Sequence, residues 1–227
     1  MSAYAFPSEA ATAQGAGSHQ SLAQDVVTIH TLGPEGTSSE YTAKHIADRV
    51  RAASAAVRLH RTFEDASAAA LETGKDVLLV ANAYPDVRRF YMDRSLSVLG
   101  CLIYKTPLYG LAVRDEQETL PPSDGPLQVV THPSPASLFG VLAPSEMRGS
   151  EVKFHLATST SNAAARVRSG EFSLCITNET SARLEGLRFI GQMFPITMVW
   201  SLFCPRSDHA RAIELFRDAV PCLSETP

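Results

Sequence analysis

The chain has 227 residues and a formal net charge of −4, with 44% hydrophobic, 7% aromatic and 19% charged residues. This is ordinary globular composition, long enough for two lobes with cores of their own. It has no basic run, which argues against a nucleic-acid partner, and no net positive field, so an anionic ligand has to be held by local groups.

The first 24 residues are rich in Ala, Ser, Gln and Gly and carry neither a charged n-region nor an unbroken apolar stretch, so they read as a disordered tail without a signal peptide. No segment reaches bilayer length, so no membrane partner is expected. Cys101, Cys175, Cys204 and Cys222 are scattered without a C-x-x-C pair. They suit reduced thiols in the cytoplasm, not a disulfide framework or a zinc site.

Short apolar runs then alternate with helical patterns. A strand is expected over 26–32 and a helix over 37–50, with Ala43, Ile46, Ala47 and Val50 on one face. A weak strand at 57–60, an Ala-rich helix at 63–73 and a buried strand at 76–83 follow. Residues 95–112 read as two extended pieces interrupted at Pro107. After a turn-rich stretch at 120–126 come strands at 127–130, 152–156 and 172–177, with helices at 133–142, 161–169 and 178–184. Strands at 187–192 and 198–204 and an amphipathic helix at 210–220 complete the pattern. The alternation argues an α/β architecture with mainly parallel sheets. Breaks near Pro107 and Pro195 suggest two lobes, 25–106 plus 195–220 and 107–194, with a ligand cleft between them.

Four helix starts follow strands directly. In Gly33-Pro34-Glu35-Gly36-Thr37-Ser38-Ser39-Glu40, Thr37 and Glu40 have capping-box spacing, and Gly36 permits close backbone approach. Helix-start amides with nearby hydroxyls form a small anion site. Thr131-His132-Pro133-Ser134, Thr158-Ser159-Thr160-Ser161-Asn162 and Thr177-Asn178-Glu179-Thr180 repeat the chemistry. Each alone is equally an ordinary helix cap. Together they would aim helix N-termini at the carboxyl edges of the strands, a neutral cage for a ligand bearing carboxylates. Of the histidines, only His132 sits at a strand-to-helix junction; His30, His45, His60 and His155 lie within elements without metal-ligand spacing, so no metal site is expected.

In their order, these segments resemble the catalytic domain of prephenate dehydratases, and more closely the prephenate decarboxylases of the bacilysin and anticapsin type. The decarboxylase likeness rests on 31–41, Phe90-Tyr91-Met92, 109–114, His132-Pro133-Ser134-Pro135 and Trp200-Ser201-Leu202-Phe203. The resemblance implies a two-lobed, type II periplasmic-binding-protein-like fold. Only 22 residues follow Pro205, so no regulatory ACT domain is expected.

Against the dehydratase pattern Ile-Glu-Asn-Ser, this chain reads Val80-Ala81-Asn82-Ala83, keeping the amide and losing the acid. Met198 stands where dehydratases have the Thr of Thr-Arg-Phe, and Leu138 replaces a Gln. The implied activity is non-aromatising, cofactor-independent decarboxylation of prephenate for an unusual amino acid or antibiotic.

The resemblance casts Thr37, Ser38 and Ser39 with Thr158, Ser159 and Thr160 as the clamp for the pyruvyl carboxylate, assisted by Gly36, Thr131, Ser134 and Asn178. Asn82 or His132 would meet the ring hydroxyl, and Trp200, Met198 and Leu138 would wall the site. Tyr91, Tyr109, His132 and a cleft water are alternatives for the proton delivered to carbon. A dehydratase, or a binding module without catalysis, are the competing readings. An edge strand or the last helix is the expected contact of a homodimer.

Overall fold

Parallel pairing needs a crossover between strands, and the first 60 described residues supply two. The structure is a computed structural model and describes residues 25–114 and 125–224. The expected tail at 1–24 and most of the turn-rich stretch at 120–126 lie outside these residues. Strand β1 (Val26–Leu32) pairs in parallel with β2 (Ser54–His60) on one side and β3 (Val77–Ala81) on the other. Helices α1 (Ser38–Ala47) and α2 (Phe63–Thr73) make the crossovers.

Side-chain alternation along β1 and β3 decides what each helix covers. Val27, Ile29, Val77 and Leu79 pack with Ala43 and Ile46 of α1. Leu78 and Val80 pack with Phe63, Ala66 and Ala70 of α2.

A short α3 (Arg88–Met92) leads into β4 (Leu96–Val113), an unbroken strand of 18 residues. Beyond it lie β5 (Leu127–Thr131), α4 (Phe139–Leu142), β6 (Val152–Leu156), α5 (Thr160–Arg168), β7 (Leu174–Asn178) and α6 (Glu179–Leu184). The chain returns along β8 (Arg188–Pro205), also 18 residues, then forms α7 (His209–Phe216) and β9 (Cys222–Leu223). All strands join one sheet in the order β2-β1-β3-β8-β4-β7-β5-β6, with β9 on β4.

Two expectations are corrected here. The sheet is mixed: β1, β2 and β3, and likewise β5, β6 and β7, pair in parallel, but every pairing of β4 or β8 is antiparallel. The pieces expected on either side of Pro107 and Pro195 are single strands. The ladder absorbs both prolines at a register shift between Lys105 and Leu108. There Thr106 Oγ1 accepts from Ile196 N at 3.0 Å and donates to the Pro107 carbonyl at 2.8 Å, replacing a backbone partner that proline cannot provide.

The expected helix at 133–142 is shorter, a 3₁₀ turn at Ala136–Leu138 running into α4, because Pro135 disfavours helical backbone at the preceding Ser134. Helix α7 stops at Phe216, short of 220.

Buried side chains divide along the same line. One end of the sheet is built on Val27, Ile29, Trp200, Leu202 and Phe216, and the other on Leu111, Val129, Phe139, Leu142 and Ile176.

Candidate active site

The start of α1 is a variant of the capping box in which the acid reaches the residue before the N-cap. Thr37 Oγ1 accepts from Glu40 N at 3.3 Å and donates to the Leu32 carbonyl at 3.1 Å, while Glu40 Oε2 accepts from Gly36 N at 2.6 Å. The Thr37 hydroxyl is thereby committed to holding the turn. The first helical bond runs from Tyr41 N to the Thr37 carbonyl, so the amides of Ser38 and Ser39 precede the helical ladder.

Helix α5 repeats the device: Ser159 Oγ accepts from Asn162 N at 2.9 Å, and Ala163 N donates to the Ser159 carbonyl. That leaves the amides of Thr160 and Ser161 ahead of the ladder. At α6 the cap is Asn178, whose Oδ1 accepts from Ser181 N at 2.9 Å.

These three starts meet. Asn178 Nδ2 donates to the Gly36 carbonyl at 2.9 Å and to Thr160 Oγ1 at 3.3 Å. Ser181 Oγ donates to the same Gly36 carbonyl at 2.9 Å and lies 2.8 Å from Ser161 Oγ. Ser38 Oγ lies 3.0 Å from the Tyr109 hydroxyl, which also has Thr160 and Asn178 as polar neighbours. Burial raises the Tyr109 pKa, and those three partners only partly offset it, so the phenol stays neutral and binds through its dipole. Gly36 holds φ at +84°, and a Cβ there would lie 3.0 Å from Leu184 Cδ1 and 3.1 Å from Ser181 Oγ, so only glycine lets this carbonyl reach both donors.

A second cluster stands at the carboxyl end of β3. Asn82 N donates to the Val199 carbonyl at 3.0 Å. Its side chain closes a triangle with Tyr91 and Ser201, with separations of 3.3, 2.6 and 2.8 Å.

His132 Nδ1 accepts from Ser134 N at 3.3 Å, which sets the neutral tautomer with hydrogen on Nε2, and burial lowers its pKa. Thr131 donates to the Ile176 carbonyl inside the sheet at 3.1 Å, and Thr158 and Ser134 are exposed at the same strand edge. Leu138 is half-buried against the core of its own end of the sheet, and Met198 against the other.

Trp200, expected as a wall, is 1% exposed within the core beside Val27, Ile29 and Phe216, its Nε1 donating to the Tyr104 carbonyl at 3.4 Å. Among the described residues no three His, Cys, Asp or Glu side chains gather as a metal centre would require. Sequence reasoning left Ser161, Ser181 and Ser201 without a role and treated Tyr109 only as a proton source. A hydroxyl at an otherwise apolar strand position was the available signal for Tyr109.

Over 181 residues the chain is 36% identical to the prephenate decarboxylase of Bacillus subtilis strain 168, covering 78% of this chain and 86% of that protein. The chain belongs to the prephenate decarboxylase family. The prephenate decarboxylase of Planktothrix agardhii is 37% identical over 177 residues, covering 77% of this chain and 86% of its own length. No protein-family model matches the chain.

Among solved structures, a prephenate dehydratase from Arthrobacter aurescens in complex with L-Phe superposes with a TM-score of 0.55 at 16% identity. It covers 80% of this chain, and this chain spans 60% of it. A periplasmic transporter gives 0.54 at 14% identity, over 86% of this chain and 81% of that one. The fold of this decarboxylase-family chain is therefore the two-lobed α/β fold shared by dehydratases and periplasmic binding proteins. No helix among the described residues is long and apolar enough to cross a membrane.

Proposed function

We propose that this chain decarboxylates prephenate without aromatising it, releasing carbon dioxide and leaving dihydro-4-hydroxyphenylpyruvate. The observation that carries the reading is a cage of neutral hydroxyls and amides joining Gly36 and Ser38 to Tyr109, Thr160 and Asn178, in a chain of the prephenate decarboxylase family.

Prephenate has a quaternary ring carbon bearing one carboxylate and a pyruvyl arm bearing a second, with a hydroxyl across the ring. In our reading the arm carboxylate takes the amides at the starts of α1 and α5, among the hydroxyls of Ser38, Ser39, Thr158 and Thr160. Thr37 and Ser159 hold those helix starts in place, and Asn178 binds the two segments together. Thr131 and Ser134 flank the same edge. Remote binding energy thus orients the ring.

Decarboxylation disperses the charge of the ring carboxylate, so a less polar setting lowers its barrier. Met198 and Leu138 supply that setting, with Trp200 behind Met198 in the core. We read 25–106 with 195–220 as one lobe and 107–194 as the other, hinged at Thr106, Pro107 and Pro195, so that closure excludes water.

Asn82 or His132 meets the ring alcohol, and neither is an acid: an amide keeps its proton, and His132 is held neutral. An unprotonated alcohol is a poor leaving group. The electron pair of the broken carbon–carbon bond therefore ends as a new C–H bond on the ring carbon beside the carbinol. A cytoplasmic enzyme serving biosynthesis of a non-proteinogenic amino acid or antibiotic fits this chemistry. A homodimer joined through an edge strand or the last helix belongs to the same reading, and sedimentation analysis tests it.

Incubation with prephenate followed by proton NMR tests the reaction. Expected are retained carbinol and vinyl ring protons with one carbon dioxide released per substrate. Phenylpyruvate as the enzymatic product would replace the reading with a dehydratase, and binding without turnover would replace it with a binding module.

A further inference from the structure

Ser201 lies on β8 at 2% exposure, paired with Val80 of β3, and takes no part in the clamp described above. Its hydroxyl has one hydrogen, and its two neighbours determine where that hydrogen goes. Ser201 Oγ donates to Asn82 Oδ1 at 2.8 Å, because a carbonyl oxygen only accepts. At 2.6 Å from the Tyr91 hydroxyl, Ser201 must then accept, so the Tyr91 proton points inward. Asn82 Nδ2 donates to Tyr91 Oη at 3.3 Å and closes the ring. Turning the amide over reverses the direction of all three bonds, and the Tyr91 proton is still committed within the ring.

The Tyr91 ring meets Phe203 edge-on at 5.0 Å, which fixes the phenol over the triangle. Two groups face outward: the second N–H of Asn82, and a lone pair of Tyr91, a residue 39% exposed. The triangle stands at the same strand edge as the α1 clamp. His30 of β1 aligns with Leu78 of β3, and the parallel register carried three residues on sets Gly33 beside Ala81, the residue before Asn82.

We propose that Ser201 is a specificity-determining positioning residue: by closing the ring with Asn82 and Tyr91, it makes Tyr91 an acceptor for the ring alcohol of the substrate instead of a proton donor to it. This rests on the decarboxylase reading and names the device that protects the alcohol. The same accounting removes Tyr91 from the sources of the proton delivered to carbon.

Both outcomes begin with breakage of the bond to carbon dioxide, whose electron pair enters the ring diene. In the retained-oxygen course the pair forms a C–H bond beside the carbinol with a proton from water. In the aromatising course it expels the hydroxyl, which departs as water only if a proton reaches that oxygen. Neither course needs an oxidant or a reductant. A Tyr91 proton turned outward is such a donor.

The experiment measures the ratio of phenylpyruvate to dihydro product from prephenate, in mildly alkaline buffer with an enzyme-free control. The ratio reports on whatever enzyme turns over, independent of how much is folded. Ser201→Ala frees the Tyr91 proton and should raise the phenylpyruvate ratio about tenfold or more, equivalent to about 1.4 kcal/mol between the two barriers. Adding Tyr91→Phe removes that proton and should return the ratio to the wild-type value even if turnover is slow.

Asn82→Ala opens the ring from its exposed side and should also raise the ratio, which keeps the test decisive if the buried substitution unfolds the chain. Ser201→Ala and Asn82→Ala enzymes that turn over slowly at the wild-type ratio would overturn the proposal and leave Ser201 a packing residue. Wild-type enzyme that itself makes phenylpyruvate would instead overturn the decarboxylase reading beneath it.

Discussion

Tyr109 shows what a single hydroxyl does at the junction of separate segments. Its phenol lies among Ser38, Thr160 and Asn178, which arrive from three different helix starts. Removing the oxygen leaves buried donors and acceptors to find new partners. Tyr109→Phe is therefore expected to cost about 1–3 kcal/mol in urea unfolding. It should also lower kcat/KM about tenfold or more if the proposed clamp on the arm carboxylate depends on this hydroxyl. A variant with unchanged kcat/KM and unchanged stability would remove the cage from the site. The contact pairs Ser38 with a residue 71 positions away, and Asn178 reaches 142 positions to Gly36. Spacing along a sequence carries no signal for such contacts. The hydroxyl-rich helix starts were therefore legible, but their convergence on Tyr109 was not. The same holds for Trp200: strand periodicity says that it shares a face with Met198, not that the face is core.

At the level of elements, local chemistry settled most of the fold. The expected strands at 26–32 and 152–156 and the helix at 63–73 match β1, β6 and α2 residue for residue, since each has a clean period and a capping or turn residue at its ends. The long β4 and β8 were hidden by their prolines. Proline breaks a ladder only where an amide donor is required, and here the Thr106 hydroxyl donates to the Pro107 carbonyl while accepting from Ile196 N.

Strands β1, β2 and the start of β3 are also stitched together by a polar chain. Asp76 Oδ1 accepts from Thr28 N at 2.8 Å, and its Oδ2 lies 3.3 Å from His30 Nε2. His30 Nδ1 lies 2.8 Å from His60 Nε2. Burial lowers the His60 pKa, with the neighbouring His30 and Arg58 adding to the effect against Asp65. A histidine whose pKa is lower folded than unfolded makes the unfolded chain bind more protons. Stability then falls as pH drops below the ordinary histidine value of about 6.5 and keeps falling until the lowered pKa is passed. His45, lowered chiefly by burial, acts in the same direction. Urea midpoints measured across this range should decline toward acid, and His60→Gln should flatten the slope. A slope that His60→Gln leaves unchanged would assign the effect elsewhere.

Over the whole molecule, two parallel strand sets are joined by a long antiparallel pair, and their helix starts face each other across the junction. In the proposed reading, that geometry sets neutral donors on both sides of a doubly charged ligand, which accounts for binding by a chain of net charge −4. In the same reading, Asn82, His132 and Tyr91 near the ring alcohol donate hydrogen bonds or accept them, and none gives up a proton.

The fate of the alcohol oxygen tests this most directly. Prephenate carrying heavy oxygen in its ring hydroxyl, turned over by the wild-type enzyme and followed by mass spectrometry, should give a product that keeps the label in full. Label released into water, with phenylpyruvate as the organic product, would contradict the account.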